Sequence, residues 1–331
     1  MILVTGGTGF IGSNIVRALA AAGVPLAVCD RHLDDPRLSN IAGARVLEML
    51  GPGSLAAWLN GRSSLDAVIH MGAISATTET DVDLVMKTNV MLTLQLMDWC
   101  TARRVPFIYA SSAQVYGDGS RGFDDDESAA AMDALISITP YGASKLLFDR
   151  LVIRERDAGR TMPPQWVGLR FFNVYGPGEG HKGTMASVVS RTLPDIVTGS
   201  PLRLFRSCHP DYVDGGQKRD FIYVRDCVDV VTWLLDNPAV SGIFNLGTGE
   251  ARTWLDLGHA MFKALSRPAR ITFVDMPAAL EGRYQYYTRA RMDRLREAGY
   301  TKPFTSLEDG IADHVAISLA GAPASHHGGQ Q

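Results

Sequence analysis

Short apolar runs alternate with amphipathic stretches of helical period along the first half of the chain. ILVTG (2–6), PLAVCD (25–30) and PFIYASSA (106–113) predict buried strands, whereas SNIVRALAAAG (13–23) and YGASKLLFDRLVIRERDAG (141–159) predict helices. Further strands are predicted at 44–50, 66–73 and 165–176, and a long helix at 82–104. Buried strands that alternate with helices indicate an α/β fold with a doubly wound parallel sheet covered on both faces.

The pattern changes after Gly176. PGEGHKGTMAS (177–187) is glycine-rich and polar, and CHPDYVDGGQ (208–217) is typical of an exposed loop. A strand and a helix return in DFIYVRDCVDVVTWLLDN (220–237). We therefore predict a Rossmann domain beside a smaller, discontinuous α/β substrate lobe. The predicted boundaries are 1–172 and 219–247 for the Rossmann domain, 173–218 and 248–320 for the substrate lobe, and 321–331 for a disordered tail.

Composition narrows the class of protein. Hydrophobic residues make up 46% and charged residues 20%, which is ordinary for a soluble globular protein. The net charge of −3 argues against a nucleic-acid partner. The four cysteines are scattered without metal-ligand spacing, so we expect no metal site and a reducing, cytoplasmic setting. The first predicted strand starts at residue 2 and no apolar run is long enough to span a membrane, so we expect neither a signal peptide nor membrane association.

The glycines at the first strand–helix junction predict a dinucleotide site. Gly6, Gly9 and Gly12 lie between a buried strand and a helix. Glycine permits a tight turn and close approach of a pyrophosphate to the backbone, and the amide groups of a helix N-terminus attract anions. Asp30 ends the second strand, where an acidic residue hydrogen-bonds the adenosine ribose. Arg31 follows at once and Arg37 is close, which favours NADP over NAD unless both arginines are simply solvated.

Tyr141 and Lys145 form a Y-x-x-x-K pair on a predicted helix and therefore share one face. A nearby ammonium lowers the pKa of a phenol, so that tyrosine can exchange a proton near neutral pH. Ser111 and Ser112 end the preceding strand, where a hydride-transfer site is expected. The alternative, for one of the two, is a purely structural role as the cap of a helix or turn.

Four stretches together resemble the extended short-chain dehydrogenase/reductase superfamily, which includes the nucleotide-sugar epimerases and dehydratases. They are TGGTGFIG (5–12), ASSAQVYG (110–117), YGASK (141–145) and RFFNVYGP (170–177). The resemblance implies a nicotinamide cofactor, a Ser–Tyr–Lys centre and a lobe that binds a nucleoside diphosphate. Dehydratases of the superfamily have an acidic pair after the Thr or Ser of the second stretch. This chain has none there, which disfavours dehydration.

A finer resemblance covers roughly residues 1–315. GPGEGHKGTMASV (176–188), QKRDFIYV (217–224), GIFNLGTGEART (242–253) and LEGRYQYYT (280–288) are similar to the ADP-L-glycero-D-manno-heptose 6-epimerase family. That family uses the lysine of HKG, here Lys182, as a second acid/base. An epimerase must move a proton on two faces of one carbon, so a second group on a loop is chemically reasonable. The resemblance implies transient oxidation at C6″ by tightly bound NADP, although an exposed loop lysine remains the alternative for Lys182.

The resemblance also assigns the remaining site residues. Catalytic roles fall on Tyr141, Lys182, Lys145 and Ser112. Cofactor contacts fall on Gly6, Gly9, Phe10, Ile11, Gly12, Asp30, Arg31, Arg37, Met71, Gly72, Ala73, Ser75, Asn89, Lys145, Val174 and Lys182. Substrate contacts fall on Ser112, Asn173, Thr184, Arg191, Phe205, Ser207, Arg219 and Tyr284. Thr184 replaces the family's serine, Arg191 stands where histidine is expected, and 208–217 lies outside the resemblance.

Alternatives remain open at this point. A UDP- or GDP-sugar 4-epimerase of the same superfamily would not need Lys182. A non-catalytic NAD(P) sensor would not need to retain both Tyr141 and Lys145. For Arg219 the alternative is a surface ion pair with Asp220, and for Tyr284 a half-buried aromatic. The leading hypothesis implies an ADP-heptose substrate, a role in lipopolysaccharide core synthesis and a homo-oligomer, a pentamer in the family.

Overall fold

The architecture is taken from a computed structural model that describes residues 1–31, 36–277 and 284–320. The predicted tail, 321–331, lies outside the described residues. The main strands are β1 Ile2–Thr5, β2 Leu26–Cys29, β3 Glu48–Leu50, β4 Ala67–His70, β5 Phe107–Ser112, β6 Trp166–Phe171 and β10 Gly242–Leu246. They form a seven-stranded parallel sheet in the order β3-β2-β1-β4-β5-β6-β10. The predicted doubly wound parallel sheet is thereby confirmed.

Every residue of β1, β2, β4 and β6 is buried, so both faces of the sheet are covered. The helices are α1 Phe10–Ala21, α2 Pro52–Asn60, α3 Val82–Met86, α4 Leu92–Arg103, α5 Ala129–Ala134, α6 Pro140–Asp157, α7 Val188–Val197, α8 Val224–Asp236, α9 Trp254–Ala264, α10 Asp293–Glu297 and α11 Leu307–Ala320. A π turn, Lys87–Met91, joins α3 to α4. The predicted helix at 82–104 is therefore continuous but carries one wider turn.

A second, smaller core lies beside the sheet. β7 Asn173–Tyr175, β9 Lys218–Tyr223 and β11 Ala251–Thr253 form a three-stranded sheet, and β8 Leu202–Phe205 pairs with β12 Ile271–Val274. Apolar side chains of α7, α9 and α11 pack with these strands in a cluster separate from the main core. One residue from the start of α1, Phe10, belongs to this smaller cluster and links the two cores.

Two sequence-based expectations need adjustment. The strand predicted at 165–176 is interrupted at Phe172, after which β7 leaves the main sheet to pair with β9. The predicted Rossmann segment 219–247 contains β9, but β9 lies in the three-stranded sheet, whereas β10 joins the main sheet. Conversely, Ala290, Met292 and Leu295 belong to the main core, although they lie in the segment 248–320 predicted for the substrate lobe.

A buried ion pair connects strands β5 and β6 of the main sheet to α6. Asp149 and Arg170 are both fully buried, with 3.0 Å between Oδ2 of Asp149 and Nε of Arg170. The hydroxyls of Ser111 and Tyr109 on β5 donate to the same carboxylate at 2.9 and 3.1 Å. One carboxylate of α6 therefore accepts hydrogen bonds from two neighbouring strands, and each of its oxygens has a partner.

The network continues past Arg170 to the edge of the sheet. Arg170 donates to the Tyr116 hydroxyl at 2.9 Å, and Tyr116 donates to Oδ1 of Asn245 on β10 at 2.6 Å. The Asn245 amide in turn donates to the carbonyls of Phe123 and Arg291. Each of these buried polar side chains thereby has a hydrogen-bond partner within the protein.

Replacing Asp149 with Asn is expected to destabilise the fold by about 3–5 kcal/mol, because Arg170 would keep a buried charge without its counter-ion. The matched control is Asp133→Asn, whose carboxylate faces Arg154 at 3.5 Å with both side chains more than 60% exposed. That variant should lose less than about 1 kcal/mol. Urea unfolding compares the two, and equal losses would contradict the role assigned to the buried pair.

Candidate active site

A cleft of about 1210 Å³ lies at the carboxyl ends of the main strands and extends to the smaller core. The direction of chain progression reverses between β1 and β4, which is where ligands bind in open parallel sheets. Thr5 and His70 end these two strands and both line the cleft. A ligand-binding pocket is usually about 300–1,000 Å³, so this cleft has room for more than one ligand.

The glycine loop forms the floor at the switch point. Gly6 has φ +64°, and a Cβ on it would lie 2.6 Å from the Gly72 nitrogen. A Cβ on Gly12 would lie 2.1 Å from the Gly6 carbonyl oxygen. α1 starts after Gly9 without a side-chain cap. The unshielded amides at the start of a helix suit a pyrophosphate, and the loop leaves no room for side chains that would block it.

Asp30 stands at the end of β2 beside this loop. Its carboxylate accepts the Thr8 amide at 3.0 Å and the Arg31 amide at 2.7 Å. Asp30, Arg31 and Arg37, the three residues predicted to hold the adenosine end of the cofactor, all line the cleft. The residues therefore fit the adenosine end of a nicotinamide dinucleotide.

His70 connects the ends of β1, β4 and the helix that follows. Its Nδ1 lies 2.6 Å from the Thr5 hydroxyl and its Nε2 2.9 Å from the Thr93 hydroxyl. Since the Thr93 hydroxyl donates to the Asn89 carbonyl, it accepts from Nε2, and Thr5 donates to Nδ1. Burial, aided by the Lys145 charge, lowers the pKa of His70 to about 3, so the ring is neutral.

Asn89 corrects one predicted cofactor contact. The residue lies in the π turn, is buried and does not line the cleft. Its amide group donates to the Ile74 carbonyl at 2.9 Å and to the Ser144 hydroxyl at 3.0 Å, and accepts the Ile74 amide at 2.8 Å. Asn89 thus holds the loop after β4 against α6, the helix that carries Lys145. It supports the wall of the cleft from behind and does not face the cofactor site.

Tyr141, Lys145 and Ser112 come together as predicted, and all three line the cleft. Tyr141 and Lys145 lie in the first turns of α6, which Thr139 caps by accepting the Gly142 amide at 3.0 Å. Burial lowers the pKa of Lys145 to about 8, and the Asp149 charge opposes that shift. Burial raises the pKa of Tyr141, opposed by its hydrogen bond with Ser112.

The direction is opposite to the expected lowering of the Tyr141 pKa, because burial disfavours the phenolate by more than the hydrogen bond with Ser112 favours it. The question of the two serines is also resolved. Ser111 is buried and donates to Asp149. Ser112 hydrogen-bonds Tyr141 and is also the serine that caps a turn, since its hydroxyl accepts the Gln114 amide at 3.2 Å.

Lys182 lies in the short turn Gly180–Met185 and lines the same cleft as Tyr141. Its ammonium sits 5.4 Å from the centre of the Phe10 ring. Burial lowers the pKa of Lys182, and the charge of Glu179 opposes that shift. The alternative of a fully exposed loop lysine is inconsistent with this partly buried position.

Glu179 organises the turn that carries Lys182. It is buried, and its carboxylate accepts the amide and the hydroxyl of Ser187, each at 2.6 Å, and the Ser190 hydroxyl at 2.9 Å. Because the Ser190 hydroxyl donates there, His314 of α11 donates to it from Nε2 at 2.9 Å. Sequence reasoning missed this residue, since nothing in a glycine-rich stretch marks an acid as buried.

A buried cation stands behind the far end of the cleft. Arg219 is 7% exposed, and its guanidinium lies 5.0 Å from the Tyr284 ring and 5.9 Å from the Trp254 ring. It donates to the Lys218 carbonyl at 2.8 Å. Burial lowers the pKa of Arg219. Among the described residues no carboxylate pairs with it, since Asp220 accepts from the backbone of 248–249 and Ala290 instead.

The surface ion pair considered for Arg219 is thus excluded by Asp220's own bonds. Tyr284 and Trp254 both line the cleft, and the Trp254 indole donates to the Tyr284 hydroxyl at 2.9 Å. Sequence reasoning missed Trp254 and Arg203. Arg203 could have been found from strand alternation, because it shares the cleft-facing side of β8 with Phe205.

The remaining predicted residues divide into two groups. The cleft is lined by Gly6, Gly9, Phe10, Ile11, Gly12, Met71, Gly72, Ala73, Ser75, Asn173, Val174, Arg191 and Phe205. Thr184, Ser207 and Arg219 do not line it directly. Thr184 is exposed, and the Ser207 hydroxyl is used within its own loop, where it donates to the His209 carbonyl at 2.9 Å.

Other site types are not found in the part of the chain that the structure describes. No cluster of three or more histidine, cysteine or acidic side chains could hold a metal ion. None of the described helices is long and apolar enough to cross a membrane.

Comparison with known proteins extends this picture. Residues 2–247 match the model of the NAD dependent epimerase/dehydratase family. Curated proteins named ADP-L-glycero-D-manno-heptose-6-epimerase are 47% identical in Nitratidesulfovibrio vulgaris strain DP4, covering 97% of this chain and 99% of that protein, and 41% identical in Fusobacterium nucleatum, covering 97% and 98%.

Solved structures agree. The Helicobacter pylori protein of the same name superposes with a TM-score of 0.79 at 28% identity, covering 96% of both chains. A Thermus thermophilus UDP-glucose 4-epimerase, solved as a complex with NAD, gives a TM-score of 0.73 at 25% identity, covering 97% of this chain and 99% of the other.

The glycine loop generates a test with an internal control. Gly12→Ala should destabilise the protein by about 1–3 kcal/mol, because the new methyl meets the Gly6 carbonyl. Gly53→Ala makes the same change in α2, where a Cβ would meet nothing within 4 Å, and should stabilise by up to about 1 kcal/mol. Thermal unfolding measures both, and a stabilised Gly12→Ala would contradict the close packing of the loop.

Proposed function

The chain belongs to the NAD dependent epimerase/dehydratase family, and we propose that it epimerises ADP-D-glycero-β-D-manno-heptose to ADP-L-glycero-β-D-manno-heptose at C6″. It is an isomerase, as its curated relatives are named. The observation that carries the proposal is that Tyr141 and Lys182, from two separate elements, line one cleft. The proposed role in the cell is supply of precursors for the lipopolysaccharide core, with a homo-oligomeric state as in the family.

A tightly bound nicotinamide dinucleotide fits the first half of the cleft. The uncapped start of α1 and the crowded glycines suit its pyrophosphate, and Asp30 suits a ribose hydroxyl. When bound, such a cofactor supplies a reversible acceptor for the hydrogen on C6″. We propose NADP, because Arg31 and Arg37 line the cleft beside Asp30 and could pair with a 2′-phosphate.

Tyr141 and Lys182 are the two proposed acid/bases. One residue would take the proton of the C6″ hydroxyl while the hydrogen on C6″ leaves as a hydride to the bound dinucleotide. After the resulting ketone turns over in the cleft, the hydride would return to the opposite face of C6″ while the other residue gives a proton to the oxygen. The depressed pKa of Lys182 favours this role, because a neutral amine is needed at one stage. We propose that the ammonium of Lys145, on the same face of α6, stabilises the Tyr141 phenolate when it forms.

Other side chains hold the substrate. Ser112 hydrogen-bonds Tyr141 and is proposed to bond the reacting oxygen as well. Arg219 has a planar set of donors and no carboxylate partner among the described residues, which suits a diphosphate. Asn173, Arg191, Phe205 and Tyr284 line the cleft and are proposed to contact the rest of the substrate.

The direct test is incubation of the purified protein with ADP-D-glycero-β-D-manno-heptose and no added cofactor. Formation of the L-glycero epimer is expected, and NADP should be released when the protein is then denatured. NAD in place of NADP would correct the cofactor alone. No conversion, even after either dinucleotide is added, would contradict the heptose substrate.

Substitutions can test the catalytic roles of the two proposed acid/bases separately from any effect on the fold. Tyr141→Phe and Lys182→Met should each lower kcat by about 10²–10⁴-fold, because each removes one proton-transfer group. Lys263→Met is the matched control, since Lys263 is exposed in the last turn of α9. Its kcat should stay within about twofold. A Lys182→Met enzyme of unchanged kcat would contradict the proposed role of Lys182 as the second acid/base.

A further inference from the structure

A row of contacting aromatic rings extends from Arg219 to the surface. The Tyr284 ring, 5.0 Å from the guanidinium, contacts Tyr286 with 5.2 Å between centroids. The ring centroid of Tyr286 lies 5.2 Å from those of both Tyr212 and His209, and the centroids of Tyr212 and His209 are 5.5 Å apart. The last two belong to the 208–217 loop, the segment without an assigned role.

Internal hydrogen bonds give the 208–217 loop a defined conformation. Asp214 accepts the Ser207 amide at 2.8 Å, and the Nδ1 of His209 accepts the Asp211 amide at 3.2 Å. Gly215, at φ +69°, closes the loop against the smaller core, and its amide donates to the Phe205 carbonyl at 3.3 Å. The loop can therefore act as a fixed support rather than as a loose cover.

Residues 284–288, which we call the tyrosine segment, lie between this loop and Arg219. The Cys208 amide donates to the Tyr286 hydroxyl at 3.0 Å. The Lys218 amide donates to the Tyr286 carbonyl at 2.9 Å, and the Thr288 amide donates to the Lys218 carbonyl at 3.2 Å. The tyrosine segment is thus attached on one side to the loop and on the other to the residue that precedes Arg219.

We propose that the 208–217 loop is a positioning element that holds Tyr284 against Arg219, and so sets the affinity of the cleft for the diphosphate of the nucleotide sugar. Tyr212 and Tyr286 are the positioning residues. This inference rests on the proposed function, which assigns Arg219 to the diphosphate.

The chemistry makes the effect specific. A buried guanidinium that loses its aromatic neighbour gains rotational freedom and must be ordered again on binding. The consequence falls on binding and leaves the proton transfers at Tyr141 and Lys182 unchanged, so KM should rise while kcat stays. ADP and UDP share the diphosphate, so both should weaken by the same factor. A loop that read the base would change their ratio.

The test uses the protein with its dinucleotide bound, so that added ADP cannot occupy the cofactor site. Isothermal titration gives the Kd of ADP and UDP, and steady-state assays give KM and kcat. Tyr212→Ala removes the supporting ring, and Tyr286→Phe removes only the bond from the Cys208 amide. Tyr287→Ala is the matched control, because Tyr287 is on the same segment but its ring faces Phe123 at 6.3 Å.

Tyr212→Ala should raise both Kd values about 3- to 10-fold and Tyr286→Phe about 2- to 5-fold, with kcat within about twofold. Tyr287→Ala should leave all of them within about twofold. Unchanged Kd values in folded Tyr212→Ala and Tyr286→Phe, or a change for ADP alone, would overturn the inference while leaving the proposed function intact. Wild-type protein that binds neither nucleotide would overturn the diphosphate assignment and this inference with it.

Discussion

The buried pair of Asp149 and Arg170 is the interaction on which the catalytic half of the molecule depends. It joins α6 to two neighbouring strands, β5 and β6, and reaches the edge strand β10 through Tyr116. A charged pair in a sheet interior is stable only when every donor and acceptor has a partner. That requirement fixes how α6 packs on the sheet. It thereby also fixes the positions of Lys145 and Tyr141, which lie one and two turns before Asp149.

Tyr141, Lys145 and Asp149 follow one another at intervals of four residues on α6, so they lie along one face. The face runs from the ion pair inside the sheet to the open cleft. Asp149 opposes the loss of charge on Lys145, whose pKa burial lowers to about 8. The structural core and the proposed proton-transfer site are therefore parts of one electrostatic arrangement, and Lys182 joins them from a turn held by Glu179.

The sequence predicted those features that depend on local pattern. Glycine spacing, strand hydrophobicity and the Y-x-x-x-K interval located the loop, the sheet and the Tyr141 helix. Features that depend on long-range partners could not be found in this way. The break at Phe172 reflects pairing with β9, and the role of Asn89 reflects contacts with Ile74 and Ser144. The raised pKa of Tyr141 depends on its burial, which spacing alone does not reveal.

Inversion of C6″ by removal and return of the same hydrogen inside the cleft is the central claim about this enzyme. The most direct measurement starts from ADP-D-glycero-β-D-manno-heptose labelled with deuterium at C6″ and follows the label in the product by NMR. The L-glycero product is predicted to keep the deuterium at C6″ and to gain no hydrogen from solvent there. Loss of the label to water would mean that the carbon is deprotonated instead, which would contradict the proposed roles of Tyr141, Lys182 and the dinucleotide site.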